Sequence, residues 1–146
     1  MLVSQIMHEK GHAVVSVAAE AFLCEIVQLL HKHRIGAVLL LDPDGTLAGI
    51  LSERDVISAI ANDGGKALMR SARTYMTQDV NTCTESDETE DIMPCMTSDR
   101  PRYVPVVERD RVVGVISTGD IIKSFVAETE YYSRELRDIL RSLGTL

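Results

Sequence analysis

The feature of this 146-residue chain that most limits what it can fold into is that it carries one pattern twice. Gly49-Ile50-Leu51-Ser52-Glu53-Arg54-Asp55-Val56-Ile57 returns 65 positions later as Gly114-Val115-Ile116-Ser117-Thr118-Gly119-Asp120-Ile121-Ile122. Upstream, the stretch Arg34 to Asp42 corresponds to the one through Tyr103 to Glu108, and Glu25-Ile26 corresponds to Asp91-Ile92. A short unit repeated in one chain buries its apolar face by stacking on its neighbour. The chain therefore reads as two copies of one supersecondary unit, residues 1–65 and 66–127. A segment 62–79, which carries Gly64-Gly65 near its start, joins them, and residues 128–146 form a helical extension.

Each copy reads the same way. Leu23, Ile26, Val27 and Leu30 fall at helical spacing and predict an amphipathic helix from Phe22 to His33 that ends near Gly36. Ala37 to Leu41 is an apolar run of strand length, Asp42-Pro43-Asp44-Gly45 carries turn chemistry, and Thr46 to Leu51 is a second strand. Ser52 with Asp55 then has the Ser-x-x-Asp spacing of a capping box, in which each side chain satisfies a backbone N–H of the other residue. In the second copy the strands are Val104 to Val107 and Arg111 to Ile116. The helix capped there by Ser117 and Asp120 continues through Phe125 toward Leu143. One element copies poorly. Asp87 to Thr97 matches the Phe22 helix, with Asp87 and Glu90 as a capping pair, but Pro94 predicts a kink or a shortened helix. An interior proline removes a hydrogen bond and clashes with the preceding turn, at about 3 kcal/mol.

Charge and composition narrow the function. With 22 acidic against 15 basic residues the net charge is −7, which argues against non-specific binding to nucleic acid or an anionic membrane. The longest apolar run, Ala37 to Leu41, is far short of the roughly 20 residues a bilayer span needs. Nothing in Met1 to Lys10 has the pattern of an export signal, so a cytoplasmic protein is expected. Cys24, Cys83 and Cys95 are odd in number and widely spaced, as buried thiols of a reducing compartment are. His8-Glu9-Lys10-Gly11-His12 has the form H-E-x-x-H, but Gly11 weakens the helix that would present both imidazoles, so no metal is expected there. His31 and His33, at a helix C-terminus, serve the helix dipole or solvent. No nucleophile elbow, glycine-rich phosphate loop or paired-cysteine motif is present, and no catalytic activity is expected.

A repeated β-α-β-β-α unit whose second strand runs into Gly-h-h-Ser-x-x-Asp, with h an apolar residue, resembles the CBS domain. Two in tandem resemble a Bateman module, here one similar to small stand-alone bacterial CBS-pair proteins. The resemblance runs from about Ile6 to Phe125. It implies an α/β fold of two tandem repeats related by a pseudo-two-fold axis, with two clefts between them that bind adenine nucleotides or other adenosyl ligands. Carried over, Asp55 and Asp120 hold ribose hydroxyls while Ser52 and Ser117 approach phosphate. The opposite repeat supplies the adenine slot, which pairs Asp55 with Arg100, Pro101, Arg102 and Tyr103, and Asp120 with Lys10, Val15, Ile35 and Gly36. Arg54 and Arg100 add phosphate charge to the first cleft. Thr118 and Gly119 belong to the second, and Gly119 in place of Arg54 makes the two chemically unequal.

Residue chemistry agrees with that assignment, because a carboxylate in a helix's first turn accepts from hydroxyls and the free N–H groups there favour phosphate. Ser-x-x-Asp is equally a helix cap in its own right, and capping alone stays open as the role of each copy. The implied ligand is AMP, ADP or ATP, with S-adenosylmethionine and NADH as further candidates. The implied assembly is a homodimer formed through Val56, Ile57, Ile60, Ile121, Ile122 and Phe125, acting on an unidentified regulated protein. The alternative is a CBS pair that dimerises or binds a protein without any ligand.

Overall fold

Apolar alternation and turn chemistry set the elements close to where the sequence predicts them in a computed structural model, which describes residues 1–98 and 102–144 and, at 97 and 98, the backbone alone. An N-terminal helix, α1 (Val3–Lys10), precedes the first repeat: β1 (Ser16–Ala18), α2 (Leu23–His33), β2 (Ala37–Leu41), β3 (Leu47–Ser52) and α3 (Glu53–Asp63). The second repeat holds α4 (Thr89–Ser98), β4 (Tyr103–Glu108), β5 (Arg111–Ser117) and the long α5 (Thr118–Ser142). β1 runs parallel to β2 and β2 antiparallel to β3; β4 and β5 form the matching antiparallel hairpin. Where the second repeat would carry its first strand, Cys83 makes a single parallel bridge to Val106. The first half is thus β-α-β-β-α and the second repeats it with a single bridge in place of the first strand, an α/β arrangement of two tandem repeats.

Three local differences from the sequence reading have physical causes. α2 ends at Arg34, held in the left-handed region at φ 53°, before Gly36 is reached. The N–H of Ile35 bonds the Leu30 carbonyl at 3.1 Å and that of Arg34 the His31 carbonyl at 3.3 Å, which closes the helix as a Schellman motif. α4 begins at Thr89, two residues beyond Asp87, whose carboxylate accepts from the Thr84 N–H at 2.8 Å, while Glu90 faces the amino terminus of Met1 at 3.3 Å. Pro94 does not shorten α4 appreciably: the helix has 10 residues against 11 in α2.

The apolar residues gather in two clusters. Leu23, Ile26, Val38, Leu40, Leu51, Val56 and Ala59 form the first. Ala67 and Ala72 join it from the short 3-10 segments Gly64–Met69 and Ala72–Thr74, so the joining stretch 62–79 is packed rather than slack. The second cluster holds Ile92, Met96, Val104, Val106, Ile116 and Ile121. It also takes Val3, Ile6 and Met7 of α1, which precedes the first repeat in sequence but packs in the core of the second. Cys83 lies in this cluster, and burial pushes its thiol up to about 12, keeping it protonated and unreactive.

Two methionines mark how the halves interlock. Met7 is fully buried over Gly114, where a β-carbon would run into its terminal methyl group. Met76, in the segment leading into the second repeat, lies on Gly49 of the first, where a β-carbon would stand 2.8 Å from its sulfur and 2.6 Å from the Thr77 carbonyl. Next to it, Thr77 and Ile50 exchange backbone hydrogen bonds of 2.9 and 3.1 Å. Each repeat's leading segment is therefore seated on the other repeat's glycine. Gly114→Ala should lose about 1–3 kcal/mol of stability in urea denaturation through overpacking, and less in a Met7→Ala background where the methyl is gone. Equal losses in the two backgrounds would contradict the contact. Gly49→Ala, which meets backbone that cannot swing away, should cost more than Gly114→Ala.

Candidate functional site

Ser52 is the last residue of β3 and the N-cap of α3. Its hydroxyl accepts from the Asp55 N–H at 3.3 Å, and Asp55 Oδ2 accepts from the Ser52 N–H at 2.8 Å and from the Ser52 hydroxyl at 3.0 Å. Ser117 and Asp120 repeat the box at the start of α5, with Asp120 Oδ2 accepting from the Ser117 N–H at 2.9 Å and the Ser117 hydroxyl accepting from the Asp120 N–H at 3.1 Å. Both aspartates are helix caps. The cap uses one oxygen of each carboxylate, and Oδ1 of Asp55 takes no hydrogen bond among the described residues. A carboxylate has about four acceptor positions, so capping and ligand binding are compatible.

Around Asp55 lies a cavity of about 550 Å³ lined by Gly36, Ile50, Ser52, Glu53, Arg54, Asp55, Ile57, Ser58, Ala61, Thr77, Arg102 and Tyr103. Thr77, Arg102 and Tyr103 belong to the second repeat, so the cavity sits between the two repeats. The ring of Tyr103 leans across Gly36, whose added β-carbon would lie 2.5 Å from the phenol oxygen. Gly36 also fixes the helix start, its carbonyl accepting the Glu53 N–H at 2.9 Å, as the Arg102 carbonyl accepts the Thr118 N–H at 2.8 Å in the second repeat.

The structure brings together Ser52, Arg54, Asp55, Arg102 and Tyr103, which the resemblance assigns to one cleft. Gly36 is corrected from the Asp120 cleft to the Asp55 one, because the turn from α2 into β2 places it against Tyr103. Arg100 and Pro101 lie outside the described residues. Val15 and Ile35, expected near Asp120, pack against the first repeat's own core as partly buried apolar side chains just outside β1 and α2. Thr118 is tied through its backbone to Arg102, and Gly119 stands beside the Ser117 hydroxyl. Sequence reasoning missed Glu53, Ile57, Ser58, Ala61, Ile50 and Thr77. The 54, 58, 61 spacing on α3 was a legible helical face; Thr77 depends on a pairing with Ile50 across the chain, which no local pattern announces.

Lys10 reaches Asp120 as expected. Its ammonium is 2.6 Å from Asp120 Oδ2 and donates to the Val115 carbonyl at 2.7 Å. Burial pushes the Asp120 carboxyl up, but the Lys10 ammonium and the Ser117 N–H and hydroxyl outweigh it and hold the group below the usual carboxylate value. Gly11 at φ 89° ends α1 between the two histidines, so His8 and His12 do not share a helix face; His12 Nε2 instead meets Glu85 at 2.8 Å.

The fold and this cavity define a tandem-repeat module with a ligand-sized cleft between its halves. The profile of the CBS domain matches residues 3–62 and 72–127, and the chain belongs to that family. It is similar to the CBS-domain containing protein ATU1752 from Agrobacterium tumefaciens, with a TM-score of 0.79 and 39% identity over 84% of this chain and 91% of that one. It is also similar to the CBS domain pair of MJ0100 in complex with 5′-methylthioadenosine and S-adenosyl-L-methionine, with a TM-score of 0.77 and 26% identity over 88% and 98% of the two chains. PAE2072 from Pyrobaculum aerophilum, complexed with AMP, gives 0.73 and 25% over 82% and 89%. Among sequence relatives, the mitochondrial CBS domain-containing protein CBSX3 of Arabidopsis thaliana is 27% identical over 86% of this chain, which spans 65% of that protein's length.

Because Asp120 titrates below an unfolded-state value of about 3.9, its pairing adds stability above about pH 4 that is lost as pH falls through the folded value. Lys10→Met should therefore be less stable than wild type at pH 7 by about 1 kcal/mol, with the gap closing below pH 4. Urea denaturation across that range checks it; a gap independent of pH would contradict the pairing.

Proposed function

We propose that this chain is a regulatory module that binds an adenine nucleotide of the AMP, ADP or ATP type between its repeats, residues 1–65 and 66–127, with 128–146 as an extension. The observation that carries the reading is Asp55, whose carboxylate stands in the first turn of α3 with one oxygen unused by the cap, inside a cavity of about 550 Å³. Small-molecule sites run from about 300 to 1,000 Å³. Asp55 would accept from the ribose hydroxyls, Ser52 and the first N–H groups of α3 would face phosphate with Arg54 and Arg102, and Tyr103 against Gly36 would form a wall of the adenine slot. The 5′-methylthioadenosine and S-adenosyl-L-methionine of the MJ0100 complex and the AMP of the PAE2072 complex support this class of ligand. Among the described residues the cavity lining offers carboxylates, hydroxyls, two arginines and one tyrosine, groups that suit nucleotide binding. A ligand there acts by favouring one arrangement of the two repeats over another, and so the surface shown to a regulated protein.

Asp55→Ala should weaken AMP about ten- to hundred-fold in a calorimetric titration, the loss of one hydrogen bond to a charged group. The 2′,3′-dideoxy analogue, which lacks the hydroxyls, should bind wild type and variant alike. A variant that loses both ligands equally would assign Asp55 to capping alone.

The apolar surface favours self-association, in the cytoplasm, as part of the same reading. Ile57 and Ile60 on α3 and Ile122, Phe125 and Val126 on α5 are exposed, whereas Val56 and Ile121, placed by the sequence reading on that surface, turn into the two cores. Farther along α5, Thr129, Tyr132, Leu136, Ile139 and Leu143 continue the three-and-four spacing of Ile122 and Phe125 on an exposed face. Light scattering should give a dimer at micromolar concentration, and Phe125→Glu with Leu136→Glu should give a monomer that still binds AMP. A monomeric wild type would overturn the assembly.

A further inference from the structure

The two Ser-x-x-Asp caps are built alike, yet their carboxylates keep different company. Asp55 has no cation paired to it among the described residues and opens on the cavity. Asp120 is paired with a cation: Lys10 lies 2.6 Å from the same Oδ2 that the cap uses, with both side chains largely shielded from solvent, at 30% and 25% exposure. We propose that Lys10 is the residue that restricts adenosyl binding to the Asp55 cleft, by pairing its charge with the carboxylate a ribose would use at Asp120. The proposal rests on the reading of Asp55 given above.

Lys10 is not a wandering surface side chain. It is the last residue of α1, whose Val3, Ile6 and Met7 are buried in the second core, and it donates a second hydrogen bond to the Val115 carbonyl on β5. A ribose entering at Asp120 finds Oδ1 open among the described residues but meets a carboxylate whose charge the ammonium on Oδ2 already neutralises, an ammonium also held by the Val115 carbonyl. A hydroxyl gains less from a carboxylate already paired with a cation than from an unpaired one, so ribose is held more weakly at Asp120 than at Asp55. The asymmetry traces to one position. Counting from the two interlocking methionines, Lys10 stands three residues after Met7, and its counterpart three residues after Met76 is Asp79. The leading segment of one repeat carries a cation at this position, which pairs with Asp120; that of the other carries an acid, which is exposed.

Titration with AMP, followed by calorimetry on the full chain, tests this. Wild type should bind one equivalent per chain, abolished or weakened at least ten-fold by Asp55→Ala. Lys10→Met should bind two, and Asp55→Ala with Lys10→Met should bind one, now dependent on Asp120. Lys10→Arg, which keeps the cation, should stay at one. Thermal melts confirm that each variant is folded, and Lys10→Gln repeats the arm if Lys10→Met is not. Two equivalents on wild type, or one on folded Lys10→Met, would overturn the role of Lys10 and leave the Asp55 reading standing. No AMP bound by wild type or Lys10→Met would overturn both.

Discussion

Met7 on Gly114 and Met76 on Gly49 hold together two half-cores that neither repeat completes alone. The first cluster lacks its cover without the stretch that carries Ala67 and Ala72, and the second lacks its cover without Val3, Ile6 and Met7. Both glycines sit beside a register shift in their hairpins, at Leu40/Leu41 and Val106/Val107, where a side chain would close the gap that each methionine fills. Close packing of this kind tolerates little added volume, so relative placement of the halves is set by a few contacts rather than by a broad soft interface.

That interlock also furnishes the clefts. The strand-like bridge between Thr77 and Ile50 follows directly on Met76 and puts Thr77 in the wall of the Asp55 cavity. The helix that seats Met7 carries Lys10 one turn onward, to Asp120 and the Val115 carbonyl. One packing device, used twice, therefore delivers different chemistry to two carboxylates that are capped identically. Gly119 in place of Arg54 widens the difference, since it removes a cation from the α5 start that α3 retains.

Much of this was legible in the chain itself. The duplication, the hairpins, the two caps and the long last helix follow from local spacing, turn residues and capping chemistry, and all of them stand in the structure. Asp55 facing Arg102 and Tyr103, and Lys10 reaching Asp120, followed from the family resemblance rather than from any local pattern. What local patterns do not encode is which half a connecting segment packs on. α1 in the second core, the packed stretch 62–79, Thr77 in the cavity and Gly36 beside Tyr103 each depend on contacts between residues far apart in sequence. Asp87 shows the same limit on a smaller scale: its spacing to Glu90 suits a cap, but α4 begins two residues beyond it and its carboxylate accepts from the Thr84 N–H.

The most direct test of the account is a crystal structure of the chain grown with AMP. The account predicts a nucleotide between the repeats with its ribose hydroxyls on Asp55, its phosphate toward Ser52 and the start of α3, and its base against Tyr103, while Lys10 still holds Asp120. A nucleotide seated on Asp120 with the Asp55 cavity empty would contradict it.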